Sequence, residues 1–158
     1  EMIKNIVEAD KADLSQLGYV IHLDQAAKRT DSWESTVSAK NIMDGACKIG
    51  LVRSEKLPIV IDKMERHMMT KEVMIAAEES IVVAVAPSIS DDVSESPLIQ
   101  NIICVLLKPG DVFVINNGVW HSACYGIDKK GMYYFLFEDS EEPLIWKEIE
   151  GGVCEIRV

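Results

Sequence analysis

From residue 46 onward the chain is a succession of short apolar segments, each cut off by a turn signal. Residues 46–52 and 58–62 are separated by a charged loop. Residues 71–75 and Ile81–Ala86 flank residues 76–80, which reads as a hairpin. Residues 98–107, 112–115, 119–125 and 132–138 follow, punctuated by Pro109-Gly110, Asn117-Gly118 and the polar stretch 128–131. The first of these is long enough to be a strand or a buried helix. Residues 144–158 supply one or two more strands, broken at Gly151-Gly152. Many short strands at this spacing restrict the chain to an all-β sandwich or small barrel. Ahead of them, Asp10 caps a predicted helix over residues 11–17, stopped by Gly18, with Leu14 and Leu17 on one face. Residues 19–23 read as a strand, and residues 24–34 and 87–97 as polar loops. No repeat or linker interrupts the chain, so residues 1–158 are expected to form a single domain.

Charge narrows the function classes. Lys+Arg is 16 and Asp+Glu is 26, for a net charge of −10. That balance argues against nucleic acid and anionic membrane as partners, because both attract basic surfaces. The longest apolar runs are far short of the ~20 residues of a membrane-spanning helix, and no signal-peptide pattern opens the sequence. The four cysteines lack CxxC spacing, and Cys104, Cys124 and Cys154 sit in apolar stretches, as buried free thiols do. A cytoplasmic protein acting on a small molecule is the expectation.

Histidine is scarce, which makes the neighbours of His22, His67 and His121 informative. In an extended strand Glu65 and His67 share a face, with Arg66 on the other. A turn or bulge over residues 68–70 would return Glu72 to that face. His121 opens a strand just after the turn Asn116-Asn117-Gly118. These two segments resemble the paired motifs of cupins. The first motif normally runs His-x-His, three or four residues, then Glu; here Glu65 takes the first His place, His67 the second, and Glu72 the Glu place. The second motif normally runs Gly, five residues, Pro-x-Gly, two residues, then His. Gly110, Gly118 and His121 keep its spacing, and Asn116 replaces the Pro. The resemblance implies a mainly β, cupin-like (RmlC-type) jelly-roll β-barrel with a short N-terminal helix. It also implies a divalent metal (Zn, Ni, Mn or Fe) held by Glu65, His67, Glu72 and His121. The plain alternative is a surface ion pair at Glu65-Arg66 with His67 and His121 as polar residues of a sheet.

The chain also resembles the ureidoglycolate lyase family, a cupin-like group. The resemblance is carried by residues 14–21, Leu57-Pro58-Ile59, Met64-Glu65-Arg66-His67, residues 82–87 and Gly118-Val119-Trp120-His121, in that order. It implies cleavage of ureidoglycolate to glyoxylate and urea, a step of allantoin degradation in purine catabolism. Such a cleavage needs a base, an acid and a cation for the carboxylate. His67, Glu72 and His121 are the catalytic candidates, and Arg66, Asn116 and Tyr125 the substrate-binding ones. Arg66 clamps a carboxylate only if its strand bulges. The family usually has Gln in place of Glu72 and a second His in place of Ser122, so a related small hydroxy acid is an alternative substrate. Another metal-dependent cupin enzyme, such as an isomerase or oxygenase, and a non-catalytic metabolite-binding cupin are the competing readings. A homodimer that covers exposed edge strands is also expected.

Overall fold

The structure is a computed structural model and describes residues 1–24 and 27–158. A strand that is apolar at every position must be covered on both faces. Ile81–Ala86 (IVVAVA) is such a strand, and all six residues are fully buried. Ile81, Val83 and Val85 enter the core between two sheets, while Val82, Ala84 and Ala86 enter a second core behind.

The strands in chain order are β1 (Met2–Glu8), β2 (Gly18–His22), β3 (Lys28–Arg29), β4 (Glu34–Ser35) and β5 (Cys47–Ser54). Next come β6 (Ile59–Ile61), β7 (Lys63–Arg66), β8 (Glu72–Ala76), β9 (Ile81–Ala86) and β10 (Ile103–Leu107). The chain ends with β11 (Asp111–Ile115), β12 (Trp120–Gly126), β13 (Gly131–Glu138), β14 (Ile145–Glu148) and β15 (Cys154–Arg157). An eight-stranded sheet runs β14-β7-β12-β9-β10-β1-β15-β6. It faces a five-stranded sheet, β2-β11-β8-β13-β5, across the core that holds Phe113, Ile115, Leu107 and Val105. The result is a curled β-sandwich of the cupin jelly-roll type. Pairing is antiparallel except for β1, which lies parallel to both β10 and β15. Among the described residues no helix is long and apolar enough to cross a membrane.

The strands expected from residue 46 onward all form, with small shifts at their ends. Three expectations need correction. The N-terminal helix is reduced to one 3-10 turn at Ala9–Lys11. The Asp13 carboxylate takes the backbone N–H (3.1 Å) and hydroxyl (2.7 Å) of Ser15, a local bond that competes with a helical turn. The expected hairpin does not form: β8 pairs with β11 and β13, whereas β9 pairs with β10 and β12. Residues 77–80 therefore carry the chain from one sheet to the other. The loop expected over residues 24–34 contributes to the small β3-β4 hairpin, and its residues 25–26 lie outside the described part. Residues 98–107 divide into a 3-10 turn, Ile99–Asn101, and β10. Cys104, Cys124 and Cys154 are free and buried, and Cys47 is exposed.

Candidate functional site

Strand alternation delivers the first three groups. On β7, Met64 and Arg66 point to the rear core and Glu65 points inward. His67 follows as the strand ends, and the chain bends at Met68 and Met69. The bend lets β8 begin with Glu72 facing the same space. Two contacts fix this corner. The Glu142 carboxylate accepts the backbone N–H groups of Met68 (2.5 Å) and Met69 (2.9 Å). The Gly118 N–H donates to the His67 carbonyl at 2.6 Å. Gly118 has φ +79°, which a side chain would resist, so the Asn-Gly turn supplies both the reversal and that bond.

The fourth group comes from β12, where His121 pairs directly with Glu65 of β7. A bulge lies between His121 and Cys124. It inserts one residue relative to β9, so that His121 and Cys124 both face inward while Trp120 and Tyr125 face the rear core. Ser122, where the family usually has a second His, accepts the Ala84 N–H at 3.0 Å inside the bulge.

The four side chains converge. His67 Nε2 lies 3.4 Å from Glu65 Oε1 and 3.9 Å from Glu72 Oε1. His121 Nε2 lies 2.6 Å from Glu72 Oε2 and 4.0 Å from Glu65 Oε2. The imidazole centroids are 5.3 Å apart. His121 Nδ1 is 3.0 Å from the Val119 carbonyl, which can only accept, so Nδ1 carries a proton and Nε2 faces the carboxylates. His67 Nε2, Glu72 Oε2 and His121 Nε2 are buried without an aligned hydrogen bond. The short His121–Glu72 approach is a close electrostatic pairing.

Burial and pairing oppose each other here. Burial pushes the Glu65 carboxyl above its ordinary value, and the two imidazoles only partly offset this. Burial would raise Glu72 too, but His121 and His67 outweigh it and hold that carboxyl low. For His121 desolvation disfavours the charged ring, yet Glu72, the Val119 carbonyl and Glu65 together hold its pKa above the ordinary imidazole value.

A bound ion is a natural occupant for a buried set of imidazole and carboxylate atoms whose hydrogen bonds are incomplete. Donor atoms of Glu65, His67 and His121 lie within 4.8 Å of one another. Imidazole and carboxylate suit Zn, Mn, Fe or Ni, and the Nδ1–H bond to Val119 is the outer support that a ligating histidine usually has. The residues present thus fit the expected divalent metal.

Around the cluster lies a cavity of about 520 Å³. Tyr133, Phe135 and Phe137 line it from alternate positions of β13, a period-two pattern readable in the sequence. Trp146, assigned no role from sequence, lines the opposite wall on β14. Glu142 carries no sequence signal, because its partners are more than seventy residues away. Among the described residues no Lys or Arg lines the cavity.

The three expected substrate-binding residues lie elsewhere. Arg66 is fully buried on the rear face, as alternation without a bulge in β7 dictates. Its guanidinium donates to Ser88 Oγ and Glu95 Oε2, both 2.7 Å, and to the Asp92 carbonyl at 2.7 Å, and it lies 4.5 Å from the Trp120 ring. It anchors the loop of residues 87–97. Asn116 is an exposed turn residue whose N–H donates to the Leu17 carbonyl. Tyr125 packs against the rear core. Met69, in the bend, is 70% exposed.

Solved structures with this fold include a 3,4-ketoisomerase from Helicobacter canadensis, with 14% identity and TM-score 0.50 over 78% of this chain and 84% of that one. A dTDP sugar isomerase from Desulfovibrio desulfuricans G20 gives 12% identity and TM-score 0.50 over 84% and 82%. RmlC from Streptococcus suis is matched at 11% identity and TM-score 0.45, over 61% of this chain and 45% of its own. No curated protein matches the sequence. The family model described as ureidoglycolate lyase matches residues 5–149, nearly the whole sandwich and every residue of the cluster, and the chain belongs to that family of cupin-fold enzymes.

Proposed function

We propose that the protein is a metal-assisted lyase that breaks the carbinolamine C–N bond of ureidoglycolate or a related small hydroxy acid. The observation that carries this reading is the convergence of His67, Glu72 and His121, whose buried polar atoms lack hydrogen bonds, on the carboxylate of Glu65. Glu65, His67 and His121 would hold the ion, which leaves Glu72 beside it. When bound, the ion polarises substrate oxygens as a Lewis acid. Glu72 does the proton work. Its carboxyl is held low by the imidazoles, so it is ionised at neutral pH and can accept the substrate hydroxyl proton. As the C–N bond breaks, its electron pair goes to the urea nitrogen, the carbinol carbon becomes the aldehyde of glyoxylate, and Glu72 returns the proton to that nitrogen. With no Lys or Arg in the described lining, the countercharge for the substrate carboxylate would be the ion held by Glu65, His67 and His121, because ligating imidazoles are neutral.

The test is elemental analysis of untagged protein beside a glyoxylate-release assay. Near-stoichiometric metal is expected, lost in His67→Ala, with turnover abolished by chelator. Glu72→Gln should keep the metal and lose roughly 10²–10⁴-fold in turnover. A protein that takes up no metal and turns over ureidoglycolate unaffected by chelator overturns the reading.

A further inference from the structure

A hydroxy acid of a few atoms would occupy only the polar corner of this cavity. The adjoining wall is apolar and aromatic. Phe137 pairs with Glu72 across the β8–β13 ladder, and Phe135 pairs with Met74. The two rings stack with centroids 5.5 Å apart and planes 21° from parallel. Trp146 pairs with Glu65 on the opposite side and remains 49% exposed, and Leu144 beside it is 67% exposed. Both stand at the cavity and are left to water, an arrangement that costs free energy until a ligand covers it.

The backbone makes room for this wall. Gly50 on β5 lies opposite Phe135, and a Cβ there would come within 2.3 Å of the ring. Without one, the ring lies against the β5 backbone; any side chain at position 50 would drive it toward the cavity. The resulting volume of about 520 Å³ falls in the range of roughly 300–1,000 Å³ typical of pockets for much larger ligands. Charge limits what that larger part can be. Glu138 and Glu142 line the cavity, held there by backbone N–H groups of residues 44–45 and 68–69, and they disfavour an anionic body.

We propose that the preferred ligand joins an α-hydroxy- or α-keto-acid head, at Glu65, His67 and His121, to an uncharged planar apolar body that lies against Phe135, Phe137 and Trp146. The head rests on the function proposed above; the body rests on the aromatic wall alone. The test is calorimetric titration of metal-loaded protein, its metal content measured first, with glycolate, lactate and mandelate. Mandelate should bind at least ten-fold more tightly than glycolate, with lactate between. Phe137→Ala and Gly50→Val should each bring the mandelate-to-glycolate ratio close to one at unchanged metal content and far-UV circular dichroism. Phe137→Leu, which keeps apolar volume but not the stacking plane, should retain part of the preference. Glycolate binding with mandelate no tighter overturns the apolar body and leaves the head standing, as does a preference that survives in both Phe137→Ala and Gly50→Val. A protein that takes up no metal and binds none of the three acids overturns head and body together.

Discussion

Glu142 shows how a single residue can govern a site from outside the cluster. Its two carboxylate oxygens take the two backbone N–H groups of the bend that separates His67 from Glu72. Removing them frees that bend and loosens the spacing of two cluster residues at once. Glu142→Ala should weaken metal binding by about 10–100-fold, the usual effect of losing an outer support. Glu142→Gln should lose less, because its amide oxygen still accepts one N–H. Competition with a chromophoric chelator measures both, and an affinity unchanged in the alanine variant would mean that the bend holds itself. The sequence makes Glu65, His67, Glu72 and His121 legible as a set, because strand alternation and motif spacing are local properties. It does not make Glu142 legible, because a loop carboxylate seventy residues away has no local pattern. Arg66 is ambiguous for a related reason: alternation places it opposite Glu65, and only its partners Ser88, Asp92 and Glu95 on the loop of residues 87–97 show what that face holds.

Strand identity was readable at the level of elements, and strand partnership was not. Apolar runs with turn residues between them located β5, β6 and β8 through β15, whereas the polar β7 (KMER) has no such run. The mistaken hairpin at residues 71–86 arose because a short connection says nothing about whether the next strand joins the same sheet. The rear face of the larger sheet is likewise invisible to local pattern: beside its apolar core it holds a buried ion pair. Arg66 is wholly buried, and Glu95 compensates it while also accepting the Trp120 indole N–H at 2.9 Å and the Ile89 N–H at 2.7 Å. Burial would raise the Glu95 carboxyl, but Trp120, Ser88 and the backbone groups of Ser90 and Ile89 hold it below its ordinary value. A carboxyl with a depressed folded pKa contributes stability above its unfolded value, about 4.3 for Glu, and that contribution is lost as pH falls through the folded value. Wild-type urea midpoints should therefore be level near neutrality and fall once pH drops below about 4. Glu95→Gln leaves a buried guanidinium without its counter-charge, so about 3–5 kcal/mol should be lost at pH 7. Its acid limb should also be shallower, because one depressed carboxyl is gone. An acid limb identical to wild type would mean that other carboxylates set it.

The whole molecule divides into a part that supplies stability and a part that spends it on buried polar groups. The inter-sheet core around Phe113, Ile115 and Leu107 is apolar, whereas Glu65, His67, Glu72 and His121 lie between the same sheets without a full set of hydrogen bonds. A ligand that satisfies the cluster only in the folded chain must stabilise the fold by mass action, by about 2.7 kcal/mol at a hundred times its dissociation constant. For a domain of this size that is a rise of roughly 5–10 °C in the unfolding midpoint. Adding divalent metal to chelator-treated protein should produce that rise, chelator should reverse it, and His67→Ala should not show it. Phe113→Ala supplies the contrast. Phe113 is fully buried and far in character from the cluster, so its truncation should cost about 3–5 kcal/mol. Yet the metal-dependent increment should survive in full, because the donor atoms come from β7, the bend that follows it and β12, not from the packing around β11. If the increment disappeared with the core residue, the cluster would depend on global packing density. If it appeared undiminished in His67→Ala, the ion would be acting at a different place.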